Sequence, residues 1–113
     1  MIKRINPGPR ASQLVVVKGR IETSGIVADL SKRGISEQTQ CVLTQLEEWL
    51  SQVGAGKENI SRIQIWLSDM SNFEAMNAVY DAWVGEHPPA RACVGAQLAA
   101  PGYLIEIQAF GEL

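Results

Sequence analysis

Apolar residues recur along this chain with a period that switches several times between two and roughly three and a half, which separates strands from helices. Leu14-Val15-Val16-Val17 runs into Lys18-Gly19 and then Arg20-Ile21-Glu22-Thr23-Ser24. β-Branched residues on both sides of a glycine-containing turn predict a β-hairpin, and Ile2 to Ile5 can add a short strand before it. Ser36 reads as a helix N-cap, with Glu37 at the positive end of the helix dipole. Val42, Leu46, Trp49, Leu50 and Val53 then follow helical spacing until Gly54 ends the pattern, and Cys41 falls at the edge of that stripe as a partly buried thiol. Ile63, Ile65 and Leu67 alternate with Arg62, Gln64 and Trp66, a strand pattern. Ser71-Asn72-Phe73-Glu74 fits a capping box ahead of a second helix, whose stripe is Phe73, Met76, Tyr80, Trp83 and Val84 and which must stop before Pro88-Pro89. Ala92 to Leu98 and Tyr103 to Phe110 read as two final strands joined by the turn Ala99-Ala100-Pro101-Gly102. The order β-β-β-α-β-α-β-β predicts an α+β fold, a single β-sheet with two helices packed on one face.

The last two strands carry the polar residues of interest. Pairing Leu98 with Tyr103 across the turn sets Gly95 opposite Glu106 and Cys93 opposite Gln108. Opposed residues point to the same side, so this register puts Arg91, Cys93, Glu106 and Gln108 on one face and leaves the apolar face to the helices. The strand Leu14 to Val17 is apolar on both sides, so the face without helices suits burial against another subunit, with a polar pocket at its boundary. By pattern alone, Arg91 and Glu106 fit a structural ion pair or a solvated face as well as a site.

Composition narrows the classes. The 113 residues fit one domain, residues 1–113, with 46% hydrophobic and 19% charged residues. The net charge is −2 and the basic residues are scattered, which argues against nucleic acid as a partner. No apolar run reaches the roughly 18 residues of a membrane span, and the N-terminus lacks the apolar centre of a signal peptide. The chain therefore reads as soluble and cytoplasmic, with no membrane partner. Cys41 and Cys93 lack metal-ligand spacing, and with His87 the only histidine no structural zinc site is expected.

Pro89-Ala90-Arg91-Ala92-Cys93-Val94 resembles the proline-alanine-arginine-x-cysteine-valine signature of the RidA/YjgF family. Glu106 follows Arg91 by fifteen residues, the family's spacing. Asn77-Ala78-Val79-Tyr80 resembles its asparagine-x-x-tyrosine on the second helix, Ser24-Gly25 its serine-glycine after the early hairpin, and Asp69 with Phe73 its aspartate-x(3)-phenylalanine stretch. The resemblance spans essentially the whole chain in the expected order. The chain departs from the pattern at Ile26, where glutamine is usual after serine-glycine, and at Arg10, where many members carry tyrosine after glycine-proline. Trp83-Val84 replaces tandem aromatics, and the following loop is shorter.

The resemblance implies a chorismate-mutase-like (RidA) fold, a homotrimer around a central barrel-like core, and clefts between subunits. It also implies hydrolysis of 2-imino acids and their enamine tautomers to 2-oxo acids and ammonia, with no cofactor. Arg91 would hold the substrate carboxylate bidentately, and Glu106 would position water or relay a proton. Cys93 would contribute its backbone, while Ser24, Asn77, Tyr80 and Arg10 would line the substrate site. The alternative is a regulatory trimer that binds small carboxylates without turnover, to which the departures at Arg10 and Ile26 point. RNA cleavage, known for some relatives, sits poorly with the charge.

Overall fold

A computed structural model describes all 113 residues of the chain. Its elements are β1 (Ile2–Pro7), β2 (Ser12–Val17), β3 (Arg20–Thr23), β4 (Ile26–Val27), α1 (Ile35–Ser51), β5 (Ile60–Leu67), α2 (Phe73–Val84), β6 (Ala90–Gly95) and β7 (Ile105–Glu112), with 3-10 turns at Lys57–Asn59 and Met70–Asn72. The seven strands form one mixed sheet in the order β1-β2-β3-β7-β5-β6, with β4 also paired to β7. The early hairpin closes as its sequence requires: Lys18 and Gly19 both take positive φ, 50° and 79°, the conformation of a two-residue turn whose twist matches its strands.

The core lies between the sheet and the two helices. Ile63, Ile65 and Leu67 of β5 and Ile105 and Ile107 of β7 are fully buried against Val42, Leu43, Leu46 and Leu50 of α1 and Met76 of α2. Each of these large side chains contributes about 1.5–3 kcal/mol by leaving water. The opposite face bears no helix and carries a mixed set: Val15, Glu22, Phe110 and Arg62 share one row across the strands, and Val27, Glu106, Trp66 and Val94 another.

Three expectations need correction. The last two strands are not a hairpin. β5, α2 and β6 form a β-α-β unit, whose crossover makes β6 parallel to β5, and β7 pairs antiparallel with the other side of β5. β5, whose Ile63, Ile65 and Leu67 are fully buried, has hydrogen-bonded neighbours on both sides, and Ala96 to Leu104 is the loop that spans its end, bonded at Ala96 N–H to Leu67 O and at Ser68 N–H to Leu104 O. Ser36 is not the N-cap of α1; the cap is Gly34, without a side-chain bond, and Ser36 is exposed. Ser71 is likewise not a cap: the Asp69 carboxylate accepts from the Ser71 N–H at 2.9 Å and closes the 3-10 turn leading into α2.

Candidate functional site

The change in topology separates residues that the hairpin reading had joined. Arg91 is level with Ile63, which is level with Ala109, so Arg91 lies on the helix-covered face. Cys93 follows through Ile65 and Ile107 to the same face, where it packs against the core. Glu106 is level with Trp66 and Val94, and Gln108 with Gln64 and Ala92, on the open face. Arg91 and Cys93 therefore share one face and Glu106 and Gln108 the other, with β5 and the thickness of the sheet between them.

The first group gathers where α2 crosses the sheet's edge strand. Phe73, Asn77 and Tyr80 recur at helical spacing on α2, so they face the same strand. The Arg91 guanidinium lies 4.7 Å from the centre of the Tyr80 ring and 5.9 Å from that of Phe73. Such stacking uses the flat faces of the guanidinium and leaves its N–H edges free to bind an anion. The Tyr80 hydroxyl and the Asn77 side-chain oxygen are buried beside it, with no hydrogen-bond partner in the chain. Burial pushes the Tyr80 hydroxyl above its ordinary pKa; the Arg91 charge works against that shift and Asp81 adds to it. Burial also pushes the Cys93 thiol up, again partly offset by Arg91. Cys93 is thus a protonated thiol at neutral pH, and its side chain is no activated nucleophile.

The second group is built by an irregularity in β3 and β4. Glu22 pairs with Phe110 but Ile26 with Ile107, so the chain gains a residue on β7 between them, a bulge at Ser24-Gly25. The Thr23 hydroxyl accepts the Ala109 N–H at 3.0 Å, standing in for the interrupted ladder, and Gln108 Nε2 donates to Thr23 O at 2.9 Å. Ser24 Oγ donates to Ser12 O at 2.6 Å. A Cβ on Gly25 would stand 1.9 Å from Glu106 Oε2, so the missing side chain is what lets the carboxylate lie against the bulge. Ser24 and Gln108 line a shallow concavity on the open face with Glu22 and Phe110.

Arg10 belongs with neither group in a single chain. It is exposed in the β1–β2 loop, which the Gly8 N–H closes on Ala11 O at 2.8 Å, four strand positions from β6. Arg91 lines none of the concavities of the isolated chain. The sequence placed Phe73 in an apolar stripe and in the family's aspartate-x(3)-phenylalanine stretch but not among the site residues, and its position as a second ring near Arg91 shows only once α2 is laid over β6. No set of three metal-ligating side chains comes together, and no helix is long and apolar enough to cross a membrane.

The comparisons with known proteins agree with this architecture. The family model described as endoribonuclease L-PSP matches residues 1–113. A RutC family protein of Haemophilus influenzae is 36% identical over 108 residues, covering 94% of this chain and 93% of that protein. The RutC family protein YoaB of Escherichia coli K12 is 35% identical over 108 residues, covering 95% and 94%. Among solved structures, NMB1025 of Neisseria meningitidis, a YjgF family member, superposes with a TM-score of 0.96 at 38% identity, covering 99% of this chain and 94% of that one. With its fold, its ordered motifs and its full-length relatives in agreement, this chain belongs to the RidA/YjgF family.

Proposed function

We propose that the protein hydrolyses reactive 2-imino acids and their enamine tautomers to 2-oxo acids and ammonia, in a cleft formed between copies of the chain. The observation that carries this reading is Arg91: a guanidinium stacked on two rings at a free sheet edge, with no carboxylate of β7 on its own face. A bidentate contact from it to a substrate carboxylate contributes about 1.5–3 kcal/mol. Arg91, Asn77, Tyr80 and the Cys93 backbone from one copy would face Ser24, Glu106 and Arg10 from the next. That division explains why a single chain keeps the two groups apart, and it requires a closed ring of copies, which the family resemblance gives as a homotrimer.

Within such a cleft water adds to the imine carbon, forming the C–O bond while the C=N π electrons move to nitrogen. Glu106 takes a proton from the water and returns it to nitrogen, giving a carbinolamine; it then carries the hydroxyl proton to the amino group as the C–N bond breaks, so that ammonia leaves and the C=O of the 2-oxo acid forms. Imines react readily with water, so holding carboxylate and water in register accounts for the acceleration asked of the site.

A second reading is a trimer that binds small carboxylates without turning them over. It is favoured by what surrounds Arg91 on its own face: two rings and a protonated thiol, none of them a base. Ribonuclease chemistry, named in the family model's description, gains no support from a net charge of −2.

The test is ammonia release from 2-aminoacrylate and larger imino acids generated in situ, comparing wild type with Arg91→Ala. Acceleration by wild type that Arg91→Ala abolishes at unchanged oligomeric state is the expected result. No acceleration with any imino acid, alongside retained binding of 2-oxo acids, would leave the second reading in its place.

A further inference from the structure

α2 ends in a turn that contains no basic residue, so its exposed carbonyls and the negative end of its dipole lack compensation from the helix itself. The compensation comes from outside. Lys57, in the 3-10 turn before β5, donates its ammonium to Trp83 O at 2.5 Å. The same ammonium lies 5.4 Å from the centre of the Trp83 ring. Trp83 is 9% exposed and tilts against Tyr80, with ring centres 5.9 Å apart and planes at 49°. Tyr80 in turn carries Arg91 at 4.7 Å. A continuous column therefore runs Lys57, Trp83, Tyr80, Arg91, with the Phe73 ring centre 5.9 Å from the guanidinium.

We propose that Lys57 is a positioning residue for the Arg91 site: by fixing the last turn of α2 through Trp83, it sets the plane on which the guanidinium rests and hence the direction of its N–H fork. The proposal rests on the reading of Arg91 as a carboxylate clamp. The physical link is short. Gly85, next after α2, has φ of 72°, so the helix stops there and its final turn is held from one side by Lys57. Loss of the ammonium frees that turn, and a small rotation of the Trp83 and Tyr80 rings turns Arg91 with them. A bidentate contact depends on the plane of the fork, so its loss shows as weaker carboxylate binding before any loss of fold.

Two measurements on Lys57→Met, Lys57→Arg and Trp83→Phe test this. The first is the proton shift of the Arg91 Nε–H, which the Tyr80 ring current moves and which reports the stack without reference to catalysis. The second is the Kd of 2-oxobutanoate, with the KM for imino acids beside it. Lys57→Met is expected to move the Arg91 resonance toward its unstacked position. It should also raise Kd and KM by about twofold to fivefold, the size of one cation–π contact, with kcat little changed. Lys57→Arg, which can still stack and donate, should recover both, and Trp83→Phe should fall between. An Arg91 resonance and Kd unchanged in a folded Lys57→Met overturns the proposal, as does a Lys57→Arg as impaired as Lys57→Met. Wild type with a stacked Arg91 resonance that binds no 2-oxo acid overturns the clamp itself, a different result from binding that ignores Lys57.

Discussion

Arg91 and Cys93 sit two residues apart on one strand face, yet their surroundings fit them for different work. The planar fork of the guanidinium matches a carboxylate where a lysine ammonium does not. Both Arg91→Ala and Arg91→Lys should therefore weaken 2-oxobutanoate binding in calorimetry by about tenfold to a hundredfold, the equivalent of one charge-assisted bidentate contact. Equal binding by Arg91→Lys would show that charge alone suffices. Cys93 and Tyr80 are both pushed up by burial, and the sign of their effect on stability follows from that. Below the ordinary thiol value of 9.0 both groups are protonated in folded and unfolded chains alike, so they add no pH dependence. Above it the unfolded chain ionises first and the native state holds more protons, so stability falls as pH rises through the thiol and then the phenol range. Chemical denaturation at a series of pH values should show that decline beginning near pH 9, the thiol's ordinary value, and flattening in Cys93→Ala combined with Tyr80→Phe. A decline of undiminished slope in the double variant would assign it to other groups.

At the scale of elements, the patterns that were legible are those set by residues close in sequence. The β2–β3 hairpin, α1, β5 and α2 follow from local period and turn chemistry, and Ile105, Ile107 and Ala109 do face the helices as their alternation says. Partner choice was not legible, because it depends on which strands need neighbours. Ala99-Ala100-Pro101-Gly102 has the residues of a hairpin turn, but β5 is an interior strand that takes β6 and β7 on its two sides, which reverses the facing of β6. The motif that singles out the site candidates is read along the chain, but their grouping failed, since the grouping is a property of the sheet order. What fixes the loop spanning β5 is Gln38, which is 1% exposed. Its Nε2 donates to Lys32 O and Gly102 O, and its Oε1 accepts the Leu104 N–H, all at 2.9 Å. Gln38→Leu strands two carbonyls and an N–H and should cost about 2–4 kcal/mol in urea unfolding. A loss below about 1 kcal/mol would mean that the loop finds other partners. Gly25→Ala tests the bulge in the same spirit: its Cβ would meet Glu106 Oε2 at 1.9 Å, so the carboxylate must swing away. Imine hydrolysis should drop while carboxylate binding at Arg91 persists; a fall in both together would place the fault in the fold.

For the whole molecule, the two faces of the sheet pose a question of balance. One face is sealed by α1 and α2; the other holds Val15, Val17, Trp66 and Phe110 half-buried among Glu22, Arg62, Gln64 and Gln108, with Val94 46% exposed at the edge. Arg62 lies 4.0 Å from the centre of the Phe110 ring, a polar cover over part of the apolar surface. A face so mixed suits an interface with a wet rim better than permanent exposure, and a closed ring is the arrangement that buries a repeated surface without leaving a sticky end. Under the proposed function such a ring would bring the Arg91 edge of one copy to the Ser24–Glu106 bulge of the next, so that assembly and chemistry would stand or fall together. Light scattering should accordingly give about 37 kDa, three chains of 12.3 kDa. Val15→Asp places a charge in the row with Glu22 and Phe110, where an interface would have to desolvate it at a cost of several kcal/mol. Its expected product is a folded monomer, with Arg91 and Glu106 intact in each chain but no imine hydrolysis. Mixing Arg91→Ala with Glu106→Gln chains, each inactive alone, then separates the models: clefts shared between copies regain activity in proportion to the mixed interfaces, whereas a site confined to one chain regains none.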